Sequence, residues 1–296
     1  MVQILMSTYN GEQYIREQLD SLLQQTYPDI RICVRDDGSA DDTIKILEEY
    51  SLKYDTIEYY CGENVGVQHS FYDLFKHVDP RADFIATCDQ DDVWHPEKVE
   101  AAVSELKKIE GIGLYCSRAQ LTDAELNPIS DNLRKKPPRI AFGNALIENI
   151  CTGCTMVINR ELYDFVEGKW PEKSLIHDWW FYIVAVAFGT VIYDEKSYIS
   201  YRQHGNNVIG LDNNRFGLLK RQLRSFRKFM GTYTLQMQEL NETFVLQSEN
   251  KQLIDLLIGT RTSWKNRFKV LFDKRIFRQG KMDTILFKGM LFLGML

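Results

Sequence analysis

The chain predicts an α/β fold, a mostly parallel sheet flanked by helices and followed by a helical C-terminal extension. Three observations predict it. Short apolar runs recur at residues 2–6, 30–35, 57–61 and 83–88, as strands buried on both faces require. Segments with apolar residues at helical spacing separate them. Each run passes into a polar loop rich in Asp, Ser, Asn and Gly. Strand–helix alternation demands crossover connections, which gather the functional loops at the carboxyl ends of the strands.

In order, residues 2–6 read as a buried first strand and Ser7-Thr8-Tyr9-Asn10-Gly11 as its turn. Tyr14, Ile15, Leu19, Leu22 and Leu23 recur as a helix face that ends at Thr26-Tyr27-Pro28. Strand 30–35 runs into Asp36-Asp37-Gly38-Ser39, and Asp41-Asp42 cap a helix to about residue 52. A third strand at 57–61, a loop at 62–66 and a helix at 67–77 with Phe71, Leu74 and Phe75 inward lead to the fourth strand at 83–88. Asp89-Gln90-Asp91-Asp92 follows it at once, before a helix over 96–109. Beyond lie a strand at 113–117, a hairpin at 121–126 and a basic, Pro-interrupted linker at 134–139 that reads as mobile. Strands at 154–159 and 190–193, a helix at 177–188, an extended run at 198–204 and helical pattern from about residue 215 complete the chain.

The carboxylates at 89–92 carry the chemistry. In an extended segment residues two apart point the same way, so Asp89 and Asp91 converge on one hard cation, Mg²⁺ or Mn²⁺, while Asp92 faces elsewhere. The alternative is a solvated acidic turn with Asp92 helping to start the next helix. Six cysteines are scattered and read as reduced; Cys151-Thr152-Gly153-Cys154 has redox or zinc spacing but lacks a second pair, which favours packing residues.

At 296 residues, 44% hydrophobic and 26% charged, the composition excludes wholesale disorder. The first residues run straight into a strand with no secretory pattern, so a cytoplasmic protein is expected. Residues 251–296 hold ten Lys/Arg against three Asp in a chain of net charge −5. There Trp264, Phe268, Leu271, Phe272 and Ile276 share a helical face ringed by basic residues, the pattern of a helix lying on an anionic membrane surface. A helical extension packing on the catalytic domain or mediating a homodimer is the alternative. Apolar residues mixed with the basic ones, in an otherwise acidic protein, argue against nucleic acid.

Taken together, Ser7-Thr8-Tyr9-Asn10-Gly11, Gln25-Thr26-Tyr27-Pro28, the 34–43 stretch Val34-Arg35-Asp36-Asp37-Gly38-Ser39-Ala40-Asp41-Asp42-Thr43, Asp89-Gln90-Asp91-Asp92 and His177-Asp178-Trp179-Trp180 resemble the inverting family 2 glycosyltransferases, with a Rossmann-like GT-A fold. Within that family the chain looks most like bacterial rhamnosyltransferases of cell-wall or capsular polysaccharide synthesis, through Cys88 to Trp94, His177 to Trp180 and Tyr201-Arg202-Gln203-His204-Gly205-Asn206-Asn207.

The resemblance implies that Asp37 accepts from a pyrimidine N–H, with Ser7 and Tyr9 at the base and ribose. Asp36 is left to the turn. Asp91 is the implied direct metal ligand, with Asp89 near the ribose and the metal. Asp178 is the implied general base, with an N-cap role as the alternative; beside it Trp179 and Trp180 read either as an acceptor platform or as core residues. His204 is the implied contact to metal or diphosphate, with Arg202 or Gln203 nearby. The expected reaction moves L-rhamnose from dTDP-β-L-rhamnose to a lipid-linked glycan acceptor at the inner face of the plasma membrane, giving an α-L-rhamnoside. A UDP-hexose or UDP-N-acetylhexosamine donor is the nearest alternative. A non-catalytic scaffold subunit is the other, against which intact Asp91 and Asp178 argue. The catalytic domain is expected over 1–212, with a nucleotide-sugar half at about 1–110 and an acceptor half at about 111–212, and the extension over 213–296.

Overall fold

The computed structural model describes residues 1–130, 136–171, 176–203 and 231–295. Their first four apolar runs become β1 (Val2–Thr8), β2 (Ile30–Asp36), β3 (Ile57–Cys61) and β4 (Phe84–Cys88). They lie side by side and parallel in the order β3-β2-β1-β4. The intervening crossovers are α1 (Ile15–Leu23), α2 (Thr43–Lys53) and α3 (Val67–Phe75). Every residue of β4, and all but Ser7 of β1, is buried, which explains why neither run alternates polar with apolar residues. The order of strands reverses between β1 and β4. Such a switch point opens a crevice beyond the strand ends, and the loops after β1 and β4 flank it.

The rest of the sheet is mixed rather than parallel. The two-residue β5 (Val93–Trp94), α4 (Lys98–Leu106), β6 (Gly113–Thr122), β7 (Pro128–Ser130), β8 (Val157–Asn159), α5 (Arg160–Val166) and β9 (Thr190–Arg202) follow. β8 is antiparallel to both β4 and β6; β6 runs parallel to β9, β5 closes on β9, and β7 makes the expected hairpin with β6. Two expectations are corrected. The strand placed at 154–159 begins only at Val157, because Gly153–Thr155 forms a 3-10 turn. The strands placed at 190–193 and from 198 are one strand: the polar Asp194-Glu195-Lys196 interrupts the apolar pattern, but pairing with β6 continues through register shifts.

The described residues group into two compact units. The sheet and its helices belong to the ranges Met1–Pro137, Cys151–Gly168 and Gly189–Val208, and the second unit to Pro138–Ile150, Lys169–Phe188 and Ile209–Leu296. The second unit therefore reaches ahead of the boundary expected at 212/213. Its α6 (His177–Phe188) is buried along nearly its whole length, and a helix apolar on every side must be covered by others. The cover includes α7 (Thr232–Thr243), which is followed by α8 (Ser248–Ile258), α9 (Trp264–Phe272) and α10 (Lys281–Phe292). Trp179 meets Tyr233 at 5.6 Å between ring centroids, and Trp180 and Phe188 meet Phe244 at 6.0 and 5.5 Å.

Asn159 joins sheet to helix. Its Oδ1 accepts from Leu162 N at 3.1 Å, capping α5, and from Gly113 N at 2.9 Å, while Nδ2 donates to Gly111 O at 2.6 Å. Asn159→Ala removes the cap and strands a buried N–H, so it is expected to lower stability by about 2 kcal/mol, read as a shift of the denaturant midpoint at unchanged m-value.

Candidate active site

Strand register brings three loops to one edge. Thr8 lies opposite Asp36 and Met6 opposite Cys88, so Tyr9, Asp37 and Asp89 leave the sheet as neighbours. Hydrogen bonds between the loops follow: Asp37 N to Thr8 O at 2.8 Å, Asn10 N to Ser39 Oγ and Ala40 N to Asn10 Oδ1, both at 2.8 Å. Asn10 takes φ +47°, a backbone conformation Asn tolerates better than most residues.

Asp36 and Asp37 differ in what they hold. Asp36 Oδ1 accepts from the amides of Gly38 and Ser39 at 3.1 and 2.8 Å, and Oδ2 from Ser39 Oγ at 2.5 Å, which builds the turn. Asp37 is almost fully buried. Its Oδ1 accepts from Arg35 Nη1 at 2.5 Å and Val65 N at 3.0 Å, and Oδ2 from Gly66 N at 2.9 Å. A carboxylate offers about four lone-pair positions, so among the described residues one remains on Oδ2. Arg35 also donates to Ser70 Oγ at 3.2 Å, Glu63 O at 3.1 Å and Asp73 Oδ2 at 3.0 Å. Ser7 Oγ in turn pairs with Ser70 Oγ at 2.6 Å. Ser7 and Asp37 thus belong to one network that runs through two residues sequence reasoning missed, Arg35 and Ser70. Burial raises the Asp73 carboxyl, but hydrogen bonds from Arg35 and Tyr60 outweigh it and hold the group below its ordinary value.

The acidic loop differs from expectation in one respect. Gln90 and Asp91 sit in a bend rather than an extended strand, so the two-residue alternation does not hold. Asp92, expected to face elsewhere, turns inward and is fully buried. Ligand atoms of Asp89, Asp92 and Cys154 lie within 4.8 Å of one another. The two carboxylates suit a hard divalent cation; the thiol does not, and burial with the Asp92 and Asp89 charges raises it well above its ordinary value. Burial first, then Asp89 and Asp91, push the Asp92 carboxyl well above the carboxylate range. Its Oδ1 accepts from Arg202 N at 3.0 Å, so it clamps β9 rather than starting α4. Beneath the loop, Lys98 is buried with Nζ 3.2 Å from the centre of the Trp94 ring, and burial pulls its amine down to about 8.

Three further residues hold this loop. Gln90 Oε1 accepts from Thr8 Oγ1 at 2.6 Å and Tyr9 N at 2.8 Å, and Nε2 donates to Tyr9 O at 3.1 Å. A Cβ on Gly11 would displace the Gln90 side-chain amide from these bonds. Gln25 Nε2 donates to His95 O at 2.9 Å and Oε1 accepts from Val99 N at 3.1 Å, satisfying an amide at the start of α4. Arg202, expected at the diphosphate, is instead buried and engaged: Nε donates to Asp91 O at 2.9 Å, Nη1 to Ala124 O and Nη2 to Glu17 Oε2, over the Tyr14 ring. Its expected ligand contact becomes a loop-holding one. Its neighbour in sequence, His204, lies outside the described residues.

Ser7 and the backbone of Tyr9 edge the crevice, and the Tyr9 side chain is 47% exposed. In the second unit Asp178 stands in the first turn of α6, buried with His177 before it. Trp179 and Trp180 are buried too, and Trp179 Nε1 donates to Ala145 O at 2.7 Å, so the structure presents neither ring as a stacking surface.

Compared with known proteins, residues 3–166 match the family described as glycosyl transferase family 2. The dTDP-rhamnosyl transferase RfbG of Shigella flexneri is 32% identical over 281 residues, covering 89% of this chain and 94% of that protein. Among solved structures, S. aureus TarS 1-349 in complex with UDP-GlcNAc overlays at a TM-score of 0.62 with 16% identity, over 100% of this chain and 81% of that one. The mannosyltransferase PcManGT from Pyrobaculum calidifontis, in complex with GDP-Man and Mn²⁺, overlays at 0.57 with 15% identity, over 97% and 73%. At those identities the overlays speak to the fold alone.

Two expectations follow from the site's geometry. Arg202→Met frees the acidic loop, so amides of residues 89–93 should exchange at least about tenfold faster, the equivalent of one lost hydrogen bond of ~1.5 kcal/mol; unchanged protection would show that Arg202 holds nothing. Burial pulls the His177 imidazole down to about 3, so between that value and the unfolded value near 6.5 the unfolded chain binds the extra proton. Stability should therefore fall as pH drops below about 6.5, by up to ~1.4 kcal/mol per pH unit from this group, and His177→Phe should flatten the acid limb of a Tm-versus-pH series.

Proposed function

The chain belongs to glycosyl transferase family 2, with the GT-A fold, and on that premise we propose that it is a metal-dependent inverting rhamnosyltransferase. It moves L-rhamnose from dTDP-β-L-rhamnose to a lipid-linked glycan, as a peripheral protein on the inner face of the plasma membrane. The observation that carries the donor assignment is the 32% identity to a dTDP-rhamnosyl transferase, sustained over 89% of this chain.

The geometry supports residue roles in that reaction. The one open lone pair on Asp37 suits thymine or uracil, whose N3–H donates, and disfavours cytosine, whose N3 accepts. Ser7 and Tyr9 edge the base and ribose. Asp89 and Asp91 would hold Mg²⁺ or Mn²⁺, with His204 as a further contact to metal or diphosphate. Such a cation, when bound, offsets charge on the leaving diphosphate. Asp178 takes the proton from the acceptor hydroxyl as that oxygen attacks the anomeric carbon; the bond to the diphosphate breaks on the opposite face, leaving an α-L-rhamnoside. Asp92, buried beside Asp89, holds β9 through Arg202 N.

A UDP-linked hexose or N-acetylhexosamine donor is the second reading, favoured by the overlay on TarS with UDP-GlcNAc but resting on fold alone.

The test is binding and hydrolysis across dTDP- and UDP-sugars with Mg²⁺ or Mn²⁺, and again with EDTA. Metal-dependent selection of dTDP-rhamnose is expected; a UDP-sugar would replace the donor, and binding without turnover on any acceptor would leave a scaffold. Asp178→Asn should lower turnover about 10²–10⁴-fold at unchanged Tm, and Asp91→Asn should lower turnover and raise the metal concentration needed for half-maximal rate.

A further inference from the structure

α9 and α10 form an antiparallel pair. Trp264 and Phe268 meet Phe292 with ring centroids 5.8 and 5.2 Å apart, and Lys288 Nζ donates to the carbonyls of Leu271 and Asp273 at 3.2 and 2.8 Å. The start of one helix therefore lies beside the end of the other. Their connection is rooted within the same unit: Asn144 Nδ2 donates to Phe277 O at 2.9 Å and Gln279 N to Glu148 Oε2 at 2.7 Å. A Cβ on Gly143 would run into the Arg275 carbonyl. The inward side buries Val270, Ile276, Phe287 and Leu291.

The outward side is apolar as well. Trp264, Phe268 and Phe272, spaced four apart on α9, are 62%, 54% and 80% exposed. Met282 and Ile285 of α10 and Leu293 just beyond it are 66%, 62% and 65% exposed, and their spacing puts them on one side of the helix. Water alone gives a helix pair no reason to gather six large apolar side chains. Exposed Lys265, Lys269, Lys274, Arg275 and Lys281 surround them. Lys288, the one charge within 284–296, turns inward onto the end of α9 and leaves the outer side unbroken.

We propose that this helix pair is a membrane-docking face, which inserts the Trp264–Phe268–Phe272 stripe at the acyl boundary of an anionic bilayer while its lysines sit among the headgroups. The charge complementarity selects that occupant: a second copy would bring two rings of like charge together, and nucleic acid has no use for exposed Phe and Ile. α9 and α10 have nine and twelve residues, and among the described residues no helix is long and apolar enough to cross a membrane, so the docking is interfacial. The inference deepens the lipid-linked part of the reading above and rests on it for its purpose, not for its chemistry.

The experiment is co-sedimentation of the full chain with vesicles of phosphatidylcholine alone or mixed with phosphatidylglycerol, without any sugar donor. Binding to the mixed vesicles should be at least about tenfold tighter. Phe268→Ser/Phe272→Ser should weaken it about tenfold or more, and Lys265→Glu/Lys269→Glu should remove the preference for anionic lipid. All four residues are exposed, so circular dichroism and donor hydrolysis in solution should not change. Equal sedimentation of wild type and variants, or indifference to phosphatidylglycerol, overturns the proposal. A concentration-dependent dimer lost in Phe268→Ser/Phe272→Ser, with no vesicle binding, assigns the face to a second copy and also overturns it. Vesicle binding in a protein that ignores dTDP-rhamnose supports docking while discarding the rhamnosyl reading.

Discussion

Three carboxylates within four residues repel one another, and the end of β4 must hold them together all the same. At the 4.8 Å that bounds the Asp89–Asp92 cluster, two unit charges in partly buried surroundings repel by about 3 kcal/mol. The protein lessens this by sending Asp92 into the interior, where burial favours its neutral form, and by placing buried Lys98 below the loop. The backbone is then fixed from three directions: by Gln90 to β1, by Gln25 to α4 and by Arg202 to β9. None of these is a regular secondary-structure bond. The loop's geometry comes from side chains spending their polarity on main-chain groups, a common device where a chain must be both irregular and rigid.

The same economy shapes the neighbouring pocket. Arg35 would be costly to bury alone, yet its five donors are shared among Asp37, Asp73, Ser70 and the Glu63 carbonyl. Asp37 is thereby held at a set distance from Ser7, through Ser70. A network fastened this way fixes the position of the Asp37 carboxylate before anything binds.

What could be read from the residues was local. Apolar runs and turn residues marked β1 to β4, and the 177–188 helix has the bounds its pattern suggested. The three loops were expected together because parallel strands leave no other arrangement. What could not be read was set by contacts distant in sequence. Glu17 meets Arg202 across 185 residues, and no spacing rule connects them. Asp92 turns inward because a bend at Gln90 and Asp91 breaks the alternation that an extended chain would keep. Trp179 and Trp180 looked available beside a helix start, whereas Tyr233 and Phe244, more than fifty residues on, cover them.

The sheet's order carries a consequence for how the protein is made. β1 to β4 occupy the first 88 residues, and each crossover joins neighbours or near neighbours, so this parallel half can assemble as it emerges from the ribosome. β9, which delivers Arg202 to the acidic loop, arrives 110 residues after Asp92. Closing so long a loop is slow, and until it closes the carboxylates stand at the end of a finished strand without their clamp. The order of synthesis therefore separates a nascent chain that already has its strand-end crevice from a mature one whose acidic loop is set. The setting of that loop is among the last steps the fold takes.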